Sequence, residues 1–209
     1  MNHVSNRPPA ALAGILQETE ALGFAMSSEA AVGAFLAALA ATKPGGQFLE
    51  LGTGTGHGTA WLLSGMNSTS TLDTVDIDEA VGGVARRHLG VDSRVRFHLM
   101  DGAEFIERAA AGMYDLIYAD AWPGKFTHLA ETLALLRPGG VYVVDDLLPQ
   151  PNWPDGHGAK VHALVAGLHR AAGFTAVQLA WASGLMLAVR RPDDPQRAAA
   201  GNTAHRASE

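Results

Sequence analysis

The sequence predicts an α/β protein built on a seven-stranded, mostly parallel sheet with helices on both faces, closed by a C-terminal antiparallel hairpin. Three observations carry that expectation: five short apolar runs each followed by a segment of helical length, a final pair of runs joined by only three residues, and a glycine-rich turn directly after the first run.

Ala10 to Gly23 reads as a helix, because Leu12, Ile15, Leu16, Thr19 and Leu22 recur at near-helical spacing and Gly23 supplies a stop. Ser27-Ser28-Glu29 resembles a helix start ahead of the Ala/Leu-rich run to Thr42. Lys43-Pro44-Gly45-Gly46 is a turn. Strands are then expected at Gln47–Leu51, Thr71–Asp76, Val95–Leu99, Tyr114–Ala119 and Val141–Asp145. Their helix-length spacers argue for parallel crossovers. The last two runs, Thr175–Trp181 and Leu185–Arg190, are linked by Ala182-Ser183-Gly184, too short for a crossover, so they must form an antiparallel hairpin. Residues 10–191 are read as one domain, residues 1–9 as a flexible N-terminus, and the polar, alanine-rich residues 192–209 as a disordered tail.

The chain has 209 residues, enough for one well-buried core. Fifteen Lys and Arg against 21 Asp and Glu give a net charge of -6, and no basic run stands out, so nucleic acid is not an expected partner. The absence of cysteine removes disulfides, thiolate metal sites and cysteine nucleophiles together. Residues 1–24 lack a signal-type apolar segment, and the apolar run 30–42 is too short to span a bilayer. A cytoplasmic protein with no membrane partner is expected.

Glu50-Leu51-Gly52-Thr53-Gly54-Thr55-Gly56-His57-Gly58 is the most informative segment. Glycines at alternate positions let the backbone take positive φ and approach a ligand closely, and the helix beginning near His57 offers free N–H groups. A dinucleotide fingerprint needs G-x-G-x-x-G. Counting from Gly52, the sixth residue is His57, and from Gly54 it is Thr59, so neither register fits. An acidic residue two positions before the first glycine points instead to S-adenosylmethionine. Asp76, ending the second strand, can accept two hydrogen bonds from ribose hydroxyls, while Asp78 suits a helix cap. Met100-Asp101-Gly102-Ala103-Glu104 follows the third strand, where an adenine edge would lie, although a helix cap is the competing reading of Asp101.

Together these residues resemble the metal-dependent O-methyltransferases of the catechol and caffeoyl-CoA type, with the Rossmann-like fold of class I S-adenosylmethionine-dependent enzymes, over about residues 22–190. Besides the glycine loop and Val75-Asp76-Ile77-Asp78, the likeness rests on Ala25-Met26-Ser27-Ser28-Glu29, on Tyr114 to Trp122, and on Leu136 to Asp146. It implies a cofactor site formed by Met26, Ser27, Glu50, Gly52, Thr53, Gly54, Gly56, Gly58, Asp76, Ile77, Asp101, Gly102, Ala103 and Asp120. It also implies that Asp120, Asp145 and Asp146 hold Mg2+ or another divalent cation. Carboxylates ending neighbouring strands, ~4.8 Å apart, can converge on one ion. The family commonly forms homodimers, with the N-terminal helix a candidate interface.

Two positions depart from the family pattern. Asp146 stands where asparagine is usual, and Pro123 stands where a lysine is usual, with Lys125 two residues further on. The catalytic candidates are therefore Asp120, Lys125 and His157, with His128 an alternative base. None of the nine histidines has H-x-x-x-H or H-E-x-x-H spacing; His57 alone abuts the cofactor loop. The proline-rich loop after Asp146 reads as a substrate wall, in which Trp153 and Trp122 either sandwich an aromatic acceptor or pack on their own scaffold. The expected activity is methyl transfer from S-adenosylmethionine to a hydroxyl of a small, aromatic acceptor with a divalent metal assisting. The alternatives are a metal-independent enzyme acting on nitrogen or another nucleophile, and a cofactor-binding protein without catalysis.

Overall fold

The computed structural model describes residues 7–25, 29–151 and 153–192, and within them seven strands form one sheet. In chain order these are β1 (Gln47–Leu51), β2 (Thr71–Asp76), β3 (Val95–Leu99), β4 (Tyr114–Ala119), β5 (Leu136–Val144), β6 (Phe174–Leu179) and β7 (Leu185–Arg190). Their spatial order is β3-β2-β1-β4-β5-β7-β6. β1 to β5 pair in parallel, while β7 runs antiparallel to both β5 and β6. The order reverses between β1 and β4, and ligands of open α/β sheets bind beyond the strand ends at such a reversal.

The helices are α1 (Leu12–Ala21), α2 (Ala30–Ala41), α3 (His57–Gly65), α4 (Glu79–Leu89), α5 (Gly102–Arg108), α6 (Leu129–Ala134) and α7 (His157–Arg170). Alternation along the strands divides the interior. Phe48, Leu116, Tyr118 and Val143 face the side covered by Ile15, Val32, Leu36, Leu62 and Leu89 of α1 to α4. Leu49, Leu51, Ile117 and Val144 face Ile106, Leu133, Val161, Leu164 and Leu168 of α5 to α7. Burying a side chain of this size contributes roughly 1.5–3 kcal/mol.

Small residues let α2 and α3 pack closely: a Cβ on Gly33 would lie 2.1 Å from the Trp61 ring, and one on Gly65 would lie 2.0 Å from the Ala37 carbonyl oxygen. α4 is capped by Asp78, whose carboxylate accepts from the N–H groups of Ala80 and Val81 at 2.9 and 3.1 Å. Arg86, Arg87 and His88 in its last turn complement the helix dipole.

Two strand boundaries differ from the sequence expectation. β5 begins at Leu136 rather than Val141, because Leu136 pairs with Tyr114 across a register shift and Arg137 is anchored by Asp115 at 2.7 Å. It ends at Val144, leaving Asp145 just beyond the strand. β6 runs from Phe174 to Leu179, displaced toward the N-terminus from the expected Thr175–Trp181, because Trp181 donates no ladder bond and its carbonyl instead closes the turn to Gly184 at 3.0 Å. Of the expected flexible N-terminus, residues 1–9, and disordered tail, residues 192–209, all but residues 7–9 and 192 lie outside the described residues. No helix among the described residues is long and apolar enough to cross a membrane.

Candidate active site

The glycine loop leaves β1 and enters α3 through three left-handed residues: φ is +99° at Gly52, +53° at Gly54 and +96° at Gly56. At Gly52 the close approach is to Asp120, whose carbonyl oxygen would lie 2.9 Å from an added Cβ. Beneath the loop, Glu50 is buried, and its Oε2 accepts hydrogen bonds from the hydroxyls of Thr59 at 2.5 Å and Thr74 at 2.6 Å. Thr53 in turn lies 2.7 Å from the Thr74 hydroxyl. Glu50 Oε1 is buried and has no hydrogen-bond partner. Burial pushes the Glu50 carboxyl up to about 8, against the pull of the two threonines, with the nearby Asp120 and Asp76 charges adding to the rise. The site thus keeps an unsatisfied polar atom in reserve, and such an atom is costly unless a ligand satisfies it.

Asp76 holds the loop from the next strand: Oδ2 accepts from the Gly54 N–H at 2.8 Å and Oδ1 from the Asp78 N–H at 2.9 Å. Each oxygen retains a lone pair for a ligand. Ile77, next in the chain, is 70% exposed despite being apolar, and forms an open greasy surface beside the loop. Asp101 caps α5 through the Ala103 N–H at 2.7 Å. α1 leans on the same loop: the Thr19 and Thr55 hydroxyls are 2.8 Å apart, and Phe24 borders Gly54. His57, expected beside the loop, is buried and lines this cleft, and burial pulls its pKa down to about 4, so it is a neutral imidazole.

Asp120 lines that cleft and also a second, larger cavity of about 420 Å³ beyond β4 and β5. Into this cavity come Asp145, Asp146, Trp122, Lys125, Trp153 and His157. The Tyr118 hydroxyl lies 3.2 Å from Asp120 Oδ2 and 3.3 Å from Asp145 Oδ2, tying the ends of β4 and β5 together. Asp145 is buried and also accepts from Ser183 and from the Asp146 N–H. Burial raises its pKa, and the Lys125 charge is among the influences pulling it back. Asp146 takes a left-handed φ of +60°, which costs roughly 1 kcal/mol for a side chain other than glycine. Both of its carboxylate oxygens accept from Trp153 Nε1 at 3.0 Å.

Lys125 reaches the cavity through a tight loop. The N–H groups of Lys125, Phe126 and Thr127 all donate to the Trp122 carbonyl, and Tyr142 donates to the Gly124 carbonyl at 2.6 Å. Gly124 takes φ +85° with Leu51 against it. Pro123 is turned away onto Gly102, while Lys125 is 5% exposed with Nζ 3.9 Å from Asp146 Oδ2. His157 opens α7; it is buried, stacked on Trp153 at 4.5 Å and edge-on to Phe126 at 5.1 Å. Neither of its ring nitrogens has a hydrogen-bond partner, and Nε2 is 3.8 Å from Asp146 Oδ2. Burial lowers its pKa, as does the Lys125 charge.

With this geometry in place, the likeness to known proteins becomes specific. Residues 49–147 match a family model described as a methyltransferase domain. Several relatives carry the name "Putative O-methyltransferase". The one from Mycobacteroides abscessus is 34% identical over 173 residues, covering 77% of this chain and 79% of its own. The chain belongs to the class I O-methyltransferases. The relative from Mycobacterium bovis is 40% identical over 119 residues, 54% of this chain and 53% of its own, so the chain spans about half the length of the first curated relatives it matches. Among solved structures, an O-methyltransferase from Bacillus cereus in complex with SAH superimposes with a TM-score of 0.77 at 23% identity, covering 90% of this chain and 94% of that one, a likeness of fold.

Set beside what the O-methyltransferase resemblance implies, Glu50, Gly52, Thr53, Gly54 and Gly58 fall together around the loop cleft, with Gly56 opening α3 and Asp76 bracing the loop. Met26 and Ser27 lie outside the described residues. The three carboxylates implied to hold a divalent ion all line the second cavity, with the Tyr118 hydroxyl between Asp120 and Asp145. Asp145 accepts from Ser183, Tyr118 and the Asp146 N–H, and Asp146 accepts from Trp153. Among the described residues no three Asp, Glu or His side chains are arranged to hold a metal ion. His128 turns to Glu107 at 3.5 Å rather than to the cavity. Trp122 and Trp153 both border the cavity, but α7 supplies each with a partner: Lys160 Nζ lies 3.8 Å above the Trp122 ring, and His157 covers Trp153.

Tyr118 and Ser183 were not read from the sequence. Tyr118 had a signal, since it lies two residues before Asp120 and so shares its face of the strand. Ser183 had only a topological one: an antiparallel β7 beside β5 brings the hairpin link to the end of β5 that carries Asp145.

Proposed function

We propose that this protein transfers the methyl group of S-adenosylmethionine to a hydroxyl oxygen of a small aromatic acceptor. The carrying observation is that two adjoining cavities share Asp120, one lined by the glycine loop and the other by aromatic and ionisable side chains. A donor and an acceptor bound in them meet at that residue.

The first cleft and the residues around it offer groups the cofactor can use. Glu50 Oε1 lacks a partner, Asp76 has lone pairs to spare, and exposed Ile77 offers an apolar face for a planar base. When bound, S-adenosylmethionine supplies an electrophilic sulfonium methyl group. The chain's own work is to align and to manage a proton. Trp122, Phe126 and Trp153 wall the second cavity, which holds an aryl group and limits water. Methyl transfer then forms an oxygen–carbon bond as the sulfur–carbon bond breaks, and His157 receives the hydroxyl proton. His157 is placed for this because both its nitrogens lack partners and Asp146 stands 3.8 Å away to stabilise the resulting imidazolium. Holding the two reactants in line supplies much of the rate advantage. No step passes through a metal ion.

Calorimetry with S-adenosylmethionine and with NAD, followed by turnover on a panel of phenols and catechols, tests the reading. Binding of S-adenosylmethionine alone with formation of an aryl methyl ether is expected. Preferential NAD binding, or methylation confined to amines, overturns it.

A further inference from the structure

We propose that Lys125 is a built-in cation that takes over, for the acceptor oxygen, the task a divalent ion would perform, so that the site works without a metal. The placement carries this. The Lys125 ammonium is 5% exposed and its closest carboxylate oxygen, on Asp146, is 3.9 Å away, beyond hydrogen-bond reach. Among the described residues Nζ makes no hydrogen bond; besides Asp146, the Phe126 ring lies 5.3 Å away to the centroid, and Asp145 and His157 of the same cavity feel its charge. Three N–H donors on a buried charge are therefore available to the cavity that Lys125 lines.

The loop leaves the ammonium no easy exit. Its backbone is pinned to the Trp122 carbonyl, and Gly124 sits in a left-handed conformation against Leu51. Asp145 accepts from Ser183, Tyr118 and the Asp146 N–H, and the two Asp146 oxygens share the single Trp153 N–H, so these carboxylates are held by neutral donors with the Lys125 charge beside them. A divalent ion bound to Asp146 would sit beside a buried positive charge only 3.9 Å from the same carboxylate, and the two like charges would repel. The two departures from the family pattern then form one device: the lysine displaced to position 125 faces the extra carboxylate at 146. Lys125 donates to the acceptor oxygen as negative charge grows there, the kind of fixed donor that favours a transition state over a ground state.

The turnover arm rests on the proposed methyl transfer; the metal-binding arm does not. Mn2+ is titrated into the full chain, with and without S-adenosylmethionine, and bound metal is read by electron paramagnetic resonance. The wild type is expected to bind none stoichiometrically, while Lys125→Met, which keeps the side-chain length and removes the charge, is expected to gain a site that Asp146→Asn in the same background removes. Catechol turnover is expected to stay within twofold in EDTA, to fall at least tenfold in Lys125→Met with S-adenosylmethionine affinity unchanged, and to recover in part in Lys125→Arg. One stoichiometric Mn2+ in the wild type, lost on Asp145→Asn, overturns the proposal. So does a folded Lys125→Met that gains no Mn2+ site. If that variant does not fold, Lys125→Gln takes its place in both arms. Absence of turnover in the wild type counts against the methyl-transfer reading and leaves the Mn2+ outcome to decide this one.

Discussion

The two cavities are built by different means. Around the glycine loop the shape is set by backbone: three left-handed glycines, N–H groups bound to Asp76, and one buried glutamate held by two threonines. Around the second cavity it is set by side chains at strand ends and in loops, several of them ionisable and unevenly satisfied. The first is a mould for one ligand, while the second can change its chemistry by exchanging single residues. If this division is real, substitutions in one half should leave the other half's ligand untouched.

The largest effect is expected where the halves join. Gly52→Ala places a Cβ 2.9 Å from the Asp120 carbonyl in a conformation with φ +99°, and should cost ~2 kcal/mol or more of stability along with at least tenfold in S-adenosylmethionine affinity. Thermal unfolding and calorimetry check it; an unchanged melting temperature would show the junction to be slack. His157→Gln should lower kcat by roughly 10²-fold through loss of the proton acceptor, with S-adenosylmethionine affinity unchanged. A matching loss of cofactor binding would break the division.

A subtler effect concerns Glu50, whose pKa burial pushes from 4.5 to about 8. Below pH 4.5 folded and unfolded chains both keep the proton. Between 4.5 and about 8 the unfolded chain has released it while the folded chain retains it, so Glu50's contribution to stability falls as pH rises through that window and is gone above it. Glu50→Gln should flatten this part of the stability curve without altering acceptor KM. Denaturant titrations at pH 5 and pH 8.5 measure the slope. The smallest effect is expected for Lys160→Met, which removes the cation from the Trp122 face, worth about 0.5–1 kcal/mol. Acceptor KM should move a few-fold and kcat little.

The same division decides what could be read in advance. Backbone-built features have local sequence signatures. The turn from β1 to α3, the Asp78 cap and the hairpin linked by Ala182 to Gly184 were each legible because glycine, aspartate and link length constrain the chain where they stand. Side-chain-built features do not. That Lys125 rather than Pro123 enters the cavity depends on Gly124, Trp122 and Tyr142 acting together. That Trp153 occupies both oxygens of Asp146 depends on the path of a loop whose shape no short motif encodes. The early start of β5 was missed because Arg-Pro-Gly-Gly reads as a turn, while Arg137, bonded to Asp115 and Gln47, and Lys43, bonded to the Gly139 carbonyl, hold it against the sheet.

The left-handed backbone at Asp146 has a consequence for how such sites diverge. Among polar side chains, aspartate and asparagine enter that conformation most cheaply, and they are nearly the same size but differ by one unit of charge. A lineage can therefore exchange them here with little disturbance to the scaffold while altering which cation the neighbouring cavity favours.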